Sequence, residues 1–140
     1  MIDENIFLSI NYFTVLMAAA AGFAVGGLWY SPILLGKEWI KEMKINEDEI
    51  KKGNHTRLYL NAFIQGLITA LFLAIIFKAL GVDSGFMGTY VGLFTCIGFV
   101  ATSFSTNYFF EGKSTELIWI SIGHQMAAFM TMGAILGAWG

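Results

Sequence analysis

The fold of this chain follows from residues 58–80, which read LYLNAFIQGLITALFLAIIFKAL. This stretch holds one charged side chain, Lys78, close to its end. A helix of about 20 apolar residues is long enough to cross the hydrocarbon core of a bilayer. Its backbone amides must pair with each other, because the hydrocarbon offers no water to bond with. The stretch therefore predicts a membrane-spanning helix.

The whole chain shares this apolar character. Hydrophobic residues make up 56% of its 140 residues and charged residues 13%, whereas a soluble domain usually carries roughly 25% charged residues. The alternation of polar and apolar residues that is typical of barrel strands is absent. This composition excludes a soluble enzyme domain and a disordered chain. A disulfide scaffold is excluded because Cys96 is the sole cysteine. The composition predicts an all-α integral membrane protein.

Four apolar stretches are long enough to span the bilayer, which predicts one transmembrane domain over residues 1–140. They are Ile6–Tyr30, Leu58–Leu80, Phe86–Phe110 and Leu117–Trp139.

The only long connection, Ser31–Thr56, starts at a proline that ends the first helix. Within it, the spacing of Ile40, Met43 and Trp39 predicts a short amphipathic helix lying in the membrane interface. Asn46 followed by three acidic residues is typical of a second helix start.

The basic residues predict the orientation. Seven of the eight lie on one side of the bundle, and the eighth, Lys78, lies on the other; the seven are Lys37, Lys41, Lys44, Lys51, Lys52, Arg57 and Lys113. The side richer in Lys and Arg is normally cytoplasmic. We therefore expect a multi-pass protein of the cell (cytoplasmic, or inner) membrane, with Ser31–Thr56 in the cytoplasm and both termini outside.

The two halves of the chain share features at corresponding places. Gly22-Phe23 of the first helix corresponds to Gly98-Phe99 of the third, and Gln65 of the second helix corresponds to Gln125 of the fourth. This pattern favours a duplicated helix hairpin. Because the first and third helices run in the same direction, the two hairpins would be parallel repeats related by an axis along the membrane normal.

Three strings carry a family resemblance. Residues 21–39 read AGFAVGGLWYSPILLGKEW, residues 98–113 read GFVATSFSTNYFFEGK, and residues 122–124 are Ile-Gly-His. Together they resemble the bacterial and archaeal domain-of-unknown-function family 1761 over nearly the whole chain. The resemblance implies a small four-helix membrane protein and implies no activity. Aromatic residues near the helix ends, such as Trp29, Tyr30 and Trp39, are also typical of an aromatic belt.

Polar side chains within the helices predict a candidate site. A rise of 1.5 Å per residue places His124 roughly 14 Å and Gln65 roughly 12 Å from the cytoplasmic end. Polar side chains in hydrocarbon usually face the bundle interior. We therefore expect one polar layer that reaches the cytoplasmic mouth, formed by His124, Gln125, Gln65, Asn61, Thr102, Ser103, Thr106, Asn107 and Glu111. The alternative is that these groups only hydrogen-bond each other across helices, and His124 fits either interpretation.

Three Gly-x-x-x-Gly pairs let helices approach closely. They are Gly22/Gly26, Gly88/Gly92 and Gly133/Gly137. Each pair can pack helices within the bundle or form the interface between protomers. We expect the protein to be a homo-oligomer.

Three functions stay open at this point. The first is transport or channel-like handling of a small polar solute, ion or proton through the polar layer. The second is a non-transporting scaffold or partner-binding subunit. An intramembrane enzyme with His124 as base and Glu111 as acid is disfavoured, because no nucleophile or metal set accompanies them. A four-helix multidrug exporter needs a carboxylate in its first helix, which Ile6–Tyr30 lacks.

Few partners are expected from the composition. The lipid bilayer is the expected surrounding, and a small polar solute or ion is the expected ligand. The net charge of −2 gives no basic surface for nucleic acid. His55 and His124 have no neighbours at ligand spacing, so we expect no metal, and we expect no cofactor and no enzymatic activity.

Overall fold

A computed structural model describes residues 3–46, 48, 53 and 55–140. Within these residues, four helices are long and apolar enough to cross a membrane. They are Tyr12–Trp29, Thr56–Leu80, Gly85–Phe110 and Thr115–Trp139, called here the first to fourth spans. The described residues contain no strand. The predicted all-α membrane fold is confirmed.

The first apolar stretch forms two helices, where one over Ile6–Tyr30 was expected. A short helix, Asn5–Ser9, precedes the first span, and Ile10 between them is extended. The side chain of Asn11 accepts a hydrogen bond from the backbone N–H of Thr14 at 3.3 Å. This cap satisfies an amide that a continuous helix would have bonded internally, so the spanning helix starts anew at this point.

The connection after the first span contains the predicted short helix, Gly36–Met43. A Cβ atom on Gly36 would lie 2.3 Å from the carbonyl oxygen of Tyr30, so only glycine fits where the chain folds back. Further along, Glu42 accepts a hydrogen bond from the Ser114 hydroxyl at 2.5 Å. This bond ties the connecting helix to the start of the fourth span. The end of the bundle that carries it is called here the loop end.

The second helix start predicted in this connection is only partly described. The Asn46 side chain accepts a hydrogen bond from the backbone N–H of Asp48 at 2.9 Å, as a helix cap does. Residues 47 and 49–52, which would continue that helix, lie outside the described residues.

The third and fourth spans meet backbone to backbone. A Cβ atom on Gly133 would lie 2.2 Å from the carbonyl oxygen of Gly88, and one on Gly137 would lie 2.2 Å from that of Ser84. A Cβ atom on Gly92 would lie 2.6 Å from the carbonyl oxygen of Phe129. Such an approach is open only to residues without side chains. These two Gly-x-x-x-Gly pairs therefore pack the bundle of a single chain.

The half of the bundle opposite the loop end has a closely packed apolar core. Leu73 and Phe77 of the second span are buried there with Val15 and Leu136 of the first and fourth. At that end, the Lys78 ammonium group donates to the carbonyl oxygen of the last residue at 2.7 Å. This half is closed by packing.

The four spans are not arranged symmetrically. The fourth span packs along both the first and the third, whereas the second packs on the first and scarcely on the third. A two-fold axis between the hairpins would make the first–fourth and third–second contacts equivalent. Gly22 is buried, whereas its counterpart Gly98 is exposed within a π-helical segment, Cys96–Ala101. The packing departs from the expected symmetry, and the duplication itself stays a prediction.

The glycine contact predicts a stability difference between two single substitutions. Gly133→Ala should lower the free energy of unfolding by about 2 kcal/mol, because the new methyl group forces the third and fourth spans apart. Gly98→Ala, with nothing within 4 Å of its Cβ position, should leave stability unchanged or slightly higher. Equilibrium unfolding in detergent measures both. Equal stability of the two variants would contradict the close contact.

Candidate functional site

The four spans line a cleft of about 610 Å³ in the two thirds of the bundle nearer the loop end. The first, second and fourth spans supply most of its lining, and Phe104 comes from the third. Glycines on two walls, among them Gly22, Gly27 and Gly66, leave room that side chains would fill. The cleft exists because the second span packs on the first and leaves a gap toward the third.

Three of the nine predicted site residues lie together in this cleft. Gln65 of the second span and His124 and Gln125 of the fourth all line it. Within the described part of the chain, none of these three side chains has a hydrogen-bond partner. Their donors and acceptors are therefore available to water or a ligand in the cleft.

The His124 ring is positioned by contacts with Tyr30 and Gly26 of the first span and its exit. It packs edge to face on Tyr30, with ring centroids 5.0 Å apart and planes at 64°. A Cβ atom on Gly26 would lie 2.9 Å from the imidazole Nε2 atom. The ring therefore occupies the space that a side chain at residue 26 would fill. Gly22 faces Met132 of the same chain in a similar way, so the Gly22/Gly26 pair makes contacts within the chain.

The polar residues of the third span do not converge on the cleft. Thr102, Ser103, Thr106, Asn107 and Glu111 are exposed on the outer surface of the chain. The three hydroxyl groups donate to carbonyl oxygens of their own helix, four residues earlier, at 3.0, 2.7 and 2.9 Å. On the second span, Asn61 is likewise exposed and is not part of the lining.

The expectation failed because depth does not fix rotation. Helical rise gives the distance of a residue from the membrane surface, but the direction of its side chain depends on how the helix is turned. The third span directs Phe104 and Tyr108 inward, and these rings pack 5.6 Å apart. The π-helical segment Cys96–Ala101 before them also changes the number of residues per turn.

Aromatic residues at the loop end of the cleft, which the sequence predicts to form an interfacial belt, also form contacts within the bundle. The indole N–H of Trp29 donates to the carbonyl oxygen of Ile120 at 3.0 Å, and its ring lies against Gly123. Tyr30 packs on Trp39 of the connecting helix, with centroids 5.4 Å apart. The segments 21–39 and 122–124 are therefore in contact in the folded chain. Both carry the family resemblance, and this shared property is the sequence signal that could have indicated the contact.

The polar groups of the site include two glutamine amides and the imidazole of His124. Among the described residues, no group of three or more His, Cys, Asp or Glu side chains could hold a metal ion. None of the described lining residues is Asp, Glu, Lys or Arg. The arrangement is suited to binding through hydrogen bonds and aromatic contacts.

The family model for DUF1761, described as proteins of unknown function, matches residues 13–137. This match covers most of the chain, so the chain belongs to the DUF1761 family. No curated protein and no solved structure matches it.

The contact between the His124 ring and Gly26 predicts that alanine substitutions at two neighbouring glycines will affect the ring position differently. Gly26→Ala should displace the imidazole from Tyr30, because its methyl group would occupy the position beside Nε2. Gly27→Ala, with nothing within 4 Å of its Cβ position, should not. Ring currents from Tyr30 shift the His124 ring protons, so NMR of ring-labelled histidine in a His55→Asn background measures the displacement. Unchanged His124 signals in Gly26→Ala would contradict the contact.

Proposed function

We propose that this DUF1761 protein binds a small solute in the cleft as a step in its transport across the membrane. The observation that carries the proposal is the cleft itself. It holds about 610 Å³ among the four spans, and in its wall the side chains of Gln65, His124 and Gln125 form no hydrogen bond with any described residue. Ligand sites in proteins are typically clefts of roughly 300–1,000 Å³ with apolar walls and a few polar groups.

The depth of the cleft supports a carrier better than a channel. Both the second and the fourth span begin at the loop end. Measured from there, the lining runs from Tyr59, about 5 Å along the second span, to Met132, about 25 Å along the fourth. Beyond it lies the apolar core around Leu73 and Phe77. A cleft that is closed by packing at one end is what one state of an alternating-access carrier requires. The polar face of the third span, which an ion or proton path would use, lies outside the cleft.

The second candidate is a non-transporting scaffold that holds a partner through the connecting helix. Gly36–Met43 exposes Lys37, Glu38 and Lys41 at the loop end, which is suited to contact with another protein. A homo-oligomer stays a prediction, but the glycine pairs no longer support it, because all three are occupied by contacts within the chain.

Flux measurements test the carrier. Purified protein in liposomes should take up at least one of glycerol, xylose, glycine and uracil, each radiolabelled, faster than protein-free liposomes. Gln65→Leu, which removes a hydrogen-bonding group from the cleft wall, should lower that uptake several-fold. Ile68→Leu, on the same span but outside the lining, should leave it unchanged. Uptake equal to that of empty liposomes for all four solutes, with a stoichiometric partner co-purifying, would favour the scaffold.

We further propose that the cleft opens toward the cytoplasm in the cell membrane, with both termini outside. The support is the basic excess at the loop end, where Lys37, Lys41, Lys44, Arg57 and Lys113 are described and only Lys78 lies at the other end.

Cysteine labelling checks this orientation. In a Cys96→Ala background, a membrane-impermeant maleimide added to intact cells should label Asp83→Cys and should not label Lys44→Cys. Permeabilised cells provide the control, since both positions are exposed and should then react. The reverse labelling pattern in intact cells would mean that the termini are cytoplasmic.

A further inference from the structure

We infer that the ligand of the cleft is an uncharged, flat ring compound with hydrogen-bonding groups along its edge. This inference rests on the proposed binding function and names the class of solute. Three properties of the lining lead to it: the absence of Asp, Glu, Lys and Arg among its described residues, the aromatic side chains of all four spans, and the amide and imidazole groups between them.

The charge of the lining argues for an uncharged ligand. No described residue in the cleft wall is Asp, Glu, Lys or Arg. A charged solute that left water for this apolar space would lose its hydration without gaining a counter-charge, at a cost of several kcal/mol or more. Lys37 and Arg57 are the basic residues closest in sequence to the lining residues, and both are exposed and outside the lining. The cleft therefore selects against both anions and cations.

The aromatic lining argues for a flat ring. Every span contributes at least one aromatic side chain, namely Phe23, Tyr59, Phe104 and Phe129 in chain order. Phe23 and Tyr59 pack edge to face, with centroids 6.3 Å apart and planes at 86°, so two of these rings contact each other in the wall. Aromatic faces gain most from another ring in stacked or edge-to-face contact. Such walls fit a planar ring better than a sugar or polyol of equal size.

The polar groups argue for donors and acceptors on the ring edge. Each glutamine amide offers both a carbonyl oxygen and an NH₂ group, and a neutral imidazole offers one donor and one acceptor. Gln65 lies on the second span and His124 and Gln125 lie on the fourth, so the groups reach the cleft from two walls. A cyclic amide or nucleobase-like edge, which alternates C=O and N–H, matches that set. A purely hydrocarbon ring would leave these groups unpaired.

Three related compounds test the charge and the flatness of the ligand. Uracil is uncharged and flat, orotate adds a carboxylate to the same ring, and 5,6-dihydrouracil keeps the edge groups but loses the flat aromatic ring. Equilibrium dialysis against purified protein in nanodiscs should show saturable uracil binding. Orotate and dihydrouracil should each bind at least tenfold more weakly. Adenine, a larger flat ring, serves as the second uncharged probe.

Variants locate the binding in the cleft. Gln65→Leu and Gln125→Leu should each weaken uracil binding about tenfold, and Ile68→Leu should not change it. A cooperative thermal transition in every variant shows that the proteins are folded. Tighter or equal binding of orotate or dihydrouracil, affinity that ignores both glutamine substitutions, or no binding of uracil and adenine by folded protein would each overturn the inference.

The outcomes separate this inference from the transport proposal. Uracil that binds in the cleft but does not enter liposomes would leave the ligand class standing and reject transport. Flux of glycerol or xylose in protein that binds neither uracil nor adenine would reject the ligand class and leave transport standing.

Discussion

The backbone contact between the third and fourth spans is the constraint on which the rest of the bundle depends. In lipid, apolar side chains gain little by leaving hydrocarbon for protein, so helices associate chiefly through close packing. Gly88 and Gly92 on one span and Gly133 and Gly137 on the other provide that approach, with carbonyl oxygens where side chains would stand. The contact fixes the fourth span at the centre of the bundle and so places His124 and Gln125.

The first span packs on the opposite side of the fourth span through side chains that contact glycines. Trp29 lies across Gly123 and donates to the carbonyl oxygen of Ile120, while Gly26 receives the His124 ring. The second span then finds a partner mainly in the first. Because it has no comparable glycine contact with the third span, a gap remains at the loop end. The cleft is therefore a consequence of which pairs of spans carry complementary small residues.

The polar side chains sort by whether their own helix can satisfy them. The hydroxyl groups of Thr102, Ser103 and Thr106 donate to carbonyl oxygens one turn earlier, so exposing them to lipid costs little. Gln65 and Gln125 carry more donors and acceptors than one turn of helix can use, and they lie in the cleft. Helical rise alone does not distinguish the two kinds of polar side chain, so the sequence places the third-span residues in the same layer as Gln65 and Gln125.

The sequence by itself determined the fold class, the four spans, the short connecting helix and the family, because hydrophobic length and local strings are properties of the chain alone. It also indicated Gln65, His124 and Gln125. The tertiary structure decided the break before Asn11, the unequal packing of the two halves and the exposure of the polar residues Thr102, Ser103, Thr106, Asn107 and Glu111. Those features depend on how each helix is rotated against its neighbours. Apolar patterns barely constrain rotation in a helix that is hydrophobic all round, whereas contacts such as Gly133 on Gly88 fix it.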